Sequence, residues 1–304
     1  MPPAPAGTLT AVDIRRGVRG LGKTLIAAGT LILLFVAYQL WGTGLAEARS
    51  QDRLTKRFAQ SLATPLPPPP PGPRPDGQPP PQAPEGEAVA IMRIPKIGME
   101  KAVVEGVALP ELKKGPGHYP TTPLPGQPGN SAIAGHRTTY GAPFFRLDEV
   151  SAGDPILVTT RQGRFRYEVI DKRVVGPDET SVLEATPDNR LTLTTCEPRF
   201  SAARRLVVVA ALTDEAAEAP PEPPAGQSAP PPAQARAGLS GSQDGAGNGP
   251  AVAWGVAAAL VALLVYGLSR VWRRWPAYLL GAPAFLVVLF FFFENFSRLL
   301  PANY

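Results

Sequence analysis

The stretch Arg161–Ile170, RQGRFRYEVI, is typical of the second half of a β-hairpin. From Arg164 onward it alternates polar and apolar residues with a period of two, as a strand with one buried face does. The loop Arg161–Gly163 before it offers a glycine that tolerates positive φ. We therefore predict a strand over Arg164–Val175 that turns back on a strand over Pro155–Thr160.

Short β-branched runs continue on both sides of this hairpin, between about residues 87 and 213, and are separated by Gly, Pro, Asn and Asp. Such runs are typical of strands. Few stretches show helical periodicity, so the pattern favours a closed or nearly closed β-barrel over a layered α/β fold. The further predicted strands are Val89–Ile94, Val103–Val107, Ser131–Ala134, Leu191–Thr195 and Leu206–Leu212.

Two segments that flank the predicted barrel have compositions unsuited to a packed core. The chain has 38 prolines among 304 residues, well above the usual share of about 5%. Residues 63–86 contain runs of five and of three prolines, which favours polyproline II and predicts a semi-rigid linker. Residues 214–250 have few large apolar side chains, which predicts a disordered linker.

Three apolar runs, over residues 24–41, 251–268 and 277–293, are long enough to cross a bilayer. The first is predicted to be an uncleaved anchor, because no clear small-residue cleavage motif accompanies it. The other two form a predicted hairpin. Its connecting loop, residues 269–276, carries three arginines, so the positive-inside rule assigns that loop to the cytoplasm.

This topology places the predicted barrel outside the plasma membrane and the N-terminus in the cytoplasm. The net charge of +5 does not indicate nucleic-acid binding, since many basic residues flank the apolar runs. The predicted organisation is a cytoplasmic segment 1–23, an anchor 24–41, a juxtamembrane segment 42–62, a proline-rich linker 63–86, the barrel 87–213, a disordered linker 214–250, a membrane helix 251–268, a cytoplasmic loop 269–276, a membrane helix 277–293 and an outer tail 294–304.

The chain has one cysteine, Cys196, so no intrachain disulfide can form. Cys196 follows the predicted strand Leu191–Thr195, and Pro198 then ends the strand, which predicts a thiol at the barrel rim that is partly exposed. Outside the cell an unpaired thiol is open to oxidation, which favours a chemical role. Position alone leaves a catalytic and a structural thiol equally open.

A nucleophilic thiol needs a neighbouring base, and the chain offers His118 and His136. His118 lies among prolines and glycines, where a hydrogen-bonding role in a loop is expected. His136 follows a predicted strand and is better fixed, so it is the favoured base. Acyl transfer also needs a donor to the oxyanion. Arg204 and Arg205 precede the last predicted strand, although the pair by itself is better explained as solvated edge charges.

Three separated motifs resemble those of sortases. TTCEPRFSAARRL, residues 194–206, is similar to their Thr-Leu-Thr-Thr-Cys signature with the arginine that opens the final strand. AGHRTTYG, residues 134–141, is similar to their histidine segment. With GPGHY at 115–119 and PRFS at 198–201, the resemblance is strongest to class E sortases of high-GC Gram-positive bacteria. It covers about residues 88–213 and implies an all-β, closed barrel of about eight strands with short helices, in addition to the transmembrane helices.

The resemblance also implies roles for individual residues. Cys196 corresponds to the nucleophile and His136 to the acid and base. Arg205, nine residues after the cysteine, corresponds to the residue that binds the oxyanion and the substrate. No cofactor and no metal are expected. Candidate substrate-binding residues are Thr195, Tyr140 and His118.

The implied function is that of a membrane-anchored cysteine transpeptidase. It would cleave a C-terminal signal resembling Leu-Pro-x-Thr-Gly or Leu-Ala-x-Thr-Gly between Thr and Gly, and transfer the protein to an amine of a cell-wall precursor. The implied partners are secreted proteins with such signals, a peptidoglycan precursor and the plasma membrane, without nucleic acid. The C-terminal hairpin departs from class E members, which often carry only an N-terminal anchor.

Other functions fit parts of the sequence. A pilus-polymerising sortase would share the same catalytic residues. A non-enzymatic wall-binding module would explain the anchors and linkers but not the three sortase motifs. An L,D-transpeptidase is disfavoured, because the cysteine of that class typically follows a glycine, whereas Thr195 precedes Cys196.

Overall fold

The computed structural model describes residues 11–63, 83–213, 249–271 and 274–297, without the side chains of residues 11–16 and 274. The chain divides into two compact units, Met1–Gly42 and Thr43–Tyr304. Most of the two predicted linkers, 63–86 and 214–250, lies outside the described residues. So do parts of the predicted segments 1–23, 269–276 and 294–304.

Eight strands form a closed barrel, which confirms the predicted fold. The strands are β1 (Ala88–Ile94), β2 (Met99–Glu105), β3 (Gly117–His118), β4 (Asn130–Ala134), β5 (Pro155–Thr160), β6 (Arg164–Val175), β7 (Arg190–Glu197) and β8 (Arg204–Leu212). They follow the order β1-β2-β3-β4-β7-β8-β6-β5, and β5 closes the barrel on β1. The pairs β2/β3 and β4/β7 are parallel, and the other pairs are antiparallel.

The predicted bounds of β5 and β6 agree with the structure, whereas those of β2 do not. β2 begins earlier than predicted, because Gly98 at φ 65° closes the 3-10 turn Pro95–Ile97 and pairs Ile94 with Met99. It also ends before the predicted Val107. β3 was not predicted as a strand, since two residues are too few to show a period.

The barrel wall is buried on both sides near β4, β7 and β8. One hydrophobic cluster fills the barrel interior, and seven of the eight strands contribute to it, β7 through Leu191 and Leu193. A second, outer cluster covers the other side of the wall and includes Val207 of β8. Because side chains alternate along a strand, Thr195 lies on the interior side of β7 and Cys196 on the outer side. The outer cluster comprises Val107, Leu112, Tyr119, Ala132, Ala134, Val182, Leu183, Val207 and Val209.

Helices lie before and after the barrel in the chain, and one short helix lies between β2 and β3. They are α1 (Ala11–Ala37), a π-helical segment (Tyr38–Gly42), α2 (Thr43–Ala63), the short α3 (Leu109–Leu112), α4 (Gly249–Val271) and α5 (Arg274–Ser297). Within the described ranges three helical stretches, Gly17–Ala63, Gly249–Val271 and Trp275–Ser297, have the length and composition to cross a membrane. α4 and α5 pack together, with Trp254 stacked on Phe291 at 4.8 Å between ring centroids.

Helix α2 packs against the barrel, although the sequence predicted only a juxtamembrane segment over 42–62. Its buried residues repeat every three or four positions along one face of the helix. The first three of them are polar, so the face lacks the apolar period by which an amphipathic helix is recognised. These buried residues are Thr43, Glu47, Gln51, Leu54 and Phe58.

Candidate active site

His136 and Cys196 lie at the ends of two adjacent strands. β4 and β7 pair in parallel with Ala134 opposite Thr194, and two residues further along come His136 and Cys196. The Gly135 amide donates to the Thr194 carbonyl at 3.1 Å, which continues the pairing past the end of β4. Both side chains are two positions beyond a matched pair, so they lie side by side on the outer side of the wall.

Arg205 is directly opposite Cys196 in the antiparallel pairing of β7 and β8. Opposed residues project to the same side of a sheet, so Arg205 shares the side that holds Cys196 and His136. Its guanidinium donates to the Ala202 carbonyl at 2.9 Å and to the Arg204 carbonyl at 3.0 Å. The three residues implied by the sortase motifs are thus brought together by β4, β7 and β8.

The thiol of Cys196 is more deeply buried than the sequence indicated. The residue is 2% exposed, so the predicted partial exposure was wrong. The reason is that the outer side of the wall is itself packed over at this level. His136, Arg137 and Arg205 are each also 2% exposed.

Burial raises the pKa of the Cys196 thiol to about 11, although the positive charges of Arg205 and Arg137 act in the opposite direction. Loss of solvent disfavours the thiolate, and the two guanidinium groups offset only part of that cost. The resting thiol therefore keeps its proton at neutral pH.

The turn after His136 supports its ring. The Nδ1 atom of His136 lies 3.3 Å from the Thr139 hydroxyl, and the Tyr140 ring lies 4.9 Å from the imidazole between centroids. Tyr140, Gly141 and Ala142 all have positive φ, at 49°, 72° and 44°. For a residue other than glycine this conformation costs about 1–3 kcal/mol and persists only where the surroundings impose it.

Arg137 is a buried cation that the sequence analysis did not single out. Its Nη1 donates to the Cys196 carbonyl and to the Glu197 carboxylate, both at 3.1 Å, and its Nη2 lies 3.0 Å from the Asp148 carboxylate. Burial opposes ionisation of Asp148, but hydrogen bonds from Arg199 and the charge of Arg137 outweigh it and lower the pKa of Asp148. Arg137 thereby ties the histidine segment to the end of β7. Its only sequence signal is its place next to the histidine.

Two of the three candidate substrate-binding residues make contacts within the barrel. The Thr195 hydroxyl donates to the Gly135 carbonyl at 2.7 Å, and this side chain lies on the interior side of the wall. His118 is on β3 rather than in a loop, and its Nδ1 lies 2.9 Å from the buried Glu105 carboxylate. Tyr140 lies against His136, and it is half-buried.

Among solved structures, sortase E from Streptomyces avermitilis is 38% identical, and the match covers 43% of this chain and 90% of that chain with a TM-score of 0.40. The crystal structure of sortase E1 from Streptomyces coelicolor with a tripeptide in the active site is 33% identical. That match covers 45% of this chain and 94% of that chain, with a TM-score of 0.41.

Sequence comparison also finds sortases. Sortase SrtE1 of Streptomyces coelicolor is 30% identical over 232 residues, or 67% of this chain, and this chain spans 62% of the length of that relative. Sortase D of Bacillus subtilis is 37% identical over 114 residues, which are 37% of this chain and 56% of that protein. The sequence profile of the sortase domain matches residues 92–213. Residues 92–213 therefore form a sortase domain, the domain of a family of cysteine transpeptidases, and the likeness of the chain to the Streptomyces sortases E is consistent with class E.

Proposed function

We propose that this protein is a membrane-anchored sortase that attaches secreted proteins to the cell wall. Its substrate is a C-terminal signal resembling Leu-Pro-x-Thr-Gly or Leu-Ala-x-Thr-Gly, cleaved between Thr and Gly. Its acceptor is an amine of a peptidoglycan precursor. The observation that carries the proposal is the meeting of Cys196, His136 and Arg205 on one side of the barrel wall.

The first half of the reaction forms a thioester. The Cys196 thiol gives its proton to His136, and the thiolate attacks the Thr carbonyl of the signal. Arg205 binds the oxyanion that develops on that carbonyl oxygen. The C–N bond then breaks, and His136 returns the proton to the departing glycine amine. Because burial keeps the proton on the resting thiol, proton transfer to His136 must precede or accompany the attack on the Thr carbonyl.

The second half transfers the acyl group to the acceptor. The acceptor amine attacks the thioester and loses a proton to His136. The new amide bond forms as the C–S bond breaks, and the Cys196 sulfur takes the proton back from His136. The His136 imidazole thus accepts a proton and then returns it in each half of the reaction, so one side chain serves as both general base and general acid.

Membrane anchoring supports this function physically. The helices that are long enough to cross a bilayer precede and follow the barrel in the chain. In the proposed topology, residues 1–23 and 269–276 are cytoplasmic and the barrel is outside the cell. A sorting-signal protein and a lipid-linked precursor at the same membrane surface would meet the enzyme at a raised effective concentration.

The test is to trap the acyl-enzyme. The full-length chain in detergent is incubated with Leu-Pro-x-Thr-Gly and Leu-Ala-x-Thr-Gly peptides, and its intact mass is measured. We expect the mass of the chain to increase by that of the peptide fragment that ends in Thr, with the addition located on Cys196. The added mass should disappear when an amine acceptor is supplied. The Cys196→Ala chain should stay unmodified. An unmodified wild-type chain with both peptides would contradict the proposed substrate class.

A further inference from the structure

Helix α2 contacts the turn that follows His136. The Tyr140 amide donates to the Thr43 hydroxyl at 3.2 Å. Four residues further along α2, Glu47 packs so closely against Gly141 that a Cβ added to this glycine would clash with the Glu47 carboxylate. The first two helical turns of α2 therefore contact Tyr140 and Gly141, the two residues at the centre of the loop that follows His136.

The same end of α2 is fixed to the barrel by buried polar bonds. The Gln51 amide group donates to the Ala102 carbonyl at 3.0 Å and to the Lys114 carbonyl at 2.8 Å, and the Ala102 amide donates back to Gln51 at 2.8 Å. Lys101 donates to Glu47 at 2.7 Å. Such bonds are directional, so a shift of the helix along β2 would break all of them.

The turn held by α2 is the one that contacts the imidazole. Tyr140 presents its ring to His136, and the Lys113 ammonium lies 5.4 Å from the centre of the same ring. The backbone of Tyr140 has a positive φ of 49°. A tyrosine keeps this conformation only when neighbouring residues hold it there. α2 supplies that constraint through Thr43 on the amide and through Glu47 on the next residue.

We propose that Thr43 and Glu47 are positioning residues for His136. α2 holds the Tyr140 turn against the imidazole, which sets the orientation of the ring toward Cys196. The catalytic domain therefore begins at α2, and a chain cut at residue 87, where the strand pattern begins, would lack part of its active-site support. This inference rests on the proposed role of His136 as the acid and base of the reaction.

Matched variants of the full-length chain in detergent test the proposal. Thr43→Val removes the acceptor of the Tyr140 amide and keeps the shape of the side chain, whereas Thr43→Ser keeps the hydroxyl. We expect kcat for cleavage of the signal peptide to fall about tenfold in Thr43→Val, with KM nearly unchanged. Thr43→Ser should recover the wild-type kcat. Glu47→Gln, a second variant that keeps the shape, should also lower kcat.

Arg57→Ala is the control on the same helix. Arg57 is exposed and pairs with Glu87 at 3.1 Å, away from the turn, so its loss should leave kcat at the wild-type value. Equal loss of kcat in Thr43→Val and Thr43→Ser, or in Arg57→Ala, would overturn the proposal, because helix packing in general would then be the cause.

Hydrogen exchange separates this inference from the proposed function. Amides of residues 137–142 should exchange faster in Thr43→Val than in the wild-type chain and in Arg57→Ala, whether or not the chain has activity. If the wild-type chain forms no acyl-enzyme, the proposed function fails and the exchange result alone decides whether α2 holds the turn. Unchanged exchange in Thr43→Val would reject the positioning role.

Discussion

Arg205 lies directly opposite Cys196 across β7 and β8, whereas its neighbour Arg204 is exposed. The alternation of side chains along β8 separates the two arginines, because only one of two adjacent residues can face the outer cluster. The sequence alone explained both equally well as solvated charges. The register of the two strands identifies Arg205 as the arginine that shares the side of the thiol.

Replacement of Arg205 should therefore abolish most of the activity. In Arg205→Lys the charge remains, but a lysine cannot present two fixed N–H groups to an oxyanion and a peptide backbone. We expect kcat for peptide cleavage to fall about a hundredfold. Arg204→Ala is the matched control and should keep the wild-type kcat. A larger loss in Arg204→Ala than in Arg205→Lys would reverse the assignment.

The buried thiol should make stability depend on alkaline pH. The pKa of Cys196 is raised to about 11 in the folded chain, against about 8.5 in an unfolded one. As the pH rises, the unfolded state therefore loses the thiol proton before the folded state does. The contribution of the thiol to the free energy of unfolding is fully present below pH 8 and is lost as the pH rises to 11. The loss amounts to roughly 3 kcal/mol at most.

This prediction is checked by thermal unfolding between pH 8 and pH 11. The wild-type Tm should fall more steeply over this range than the Tm of Cys196→Ala, because the variant lacks the titrating thiol. Other alkaline groups titrate in both chains, so only the difference is informative. Parallel Tm curves for the two chains would mean that the folded thiol titrates near its ordinary pKa.

The two histidines should respond differently to replacement. His118→Ala would leave the Glu105 carboxylate buried without its imidazole partner, which lies at 2.9 Å. Removal of one member of a buried pair costs about 3 kcal/mol. We therefore expect a clear drop in Tm for His118→Ala, while the folded fraction keeps its kcat.

His136→Ala should show the opposite result. Its kcat should fall by about a hundredfold or more, because no acid remains to protonate the departing amine. Its Tm should change less than that of His118→Ala. Comparable loss of kcat in both variants, after correction for the folded fraction, would remove the distinction between a structural and a catalytic histidine.

Sequence patterns were sufficient where a period was long or a motif was distinctive. The alternation that begins at Arg164 supported a prediction of β6 whose bounds agree with the structure, and the sortase motifs led to Cys196, His136 and Arg205. The pattern missed α2, because the half of its buried face near the site is polar. It also missed Arg137, because a buried arginine and a solvated one look alike until the neighbouring strands are in place.

The burial of Cys196 was missed for a related reason. A strand pattern shows where β7 ends, but not what covers its outer side. That cover is made by residues distant in the sequence, among them Tyr119, whose hydroxyl lies 3.3 Å from that of Thr194. Side-chain exposure at a strand end therefore depends on tertiary contacts that the local sequence does not contain.

The membrane topology can be tested with single cysteines, because the chain has only Cys196. In a Cys196→Ala background, Ser240→Cys lies in the predicted outer linker, and Val271→Cys lies beside the arginines of the predicted cytoplasmic loop. We expect a membrane-impermeant maleimide to label Ser240→Cys in intact bacterial cells. Val271→Cys should react only after the cells are permeabilised, since the positive-inside rule retains the arginine-rich loop in the cytoplasm. Cys196→Ala alone should remain unlabelled in both conditions, and labelling of Val271→Cys in intact cells would place the hairpin in the opposite orientation.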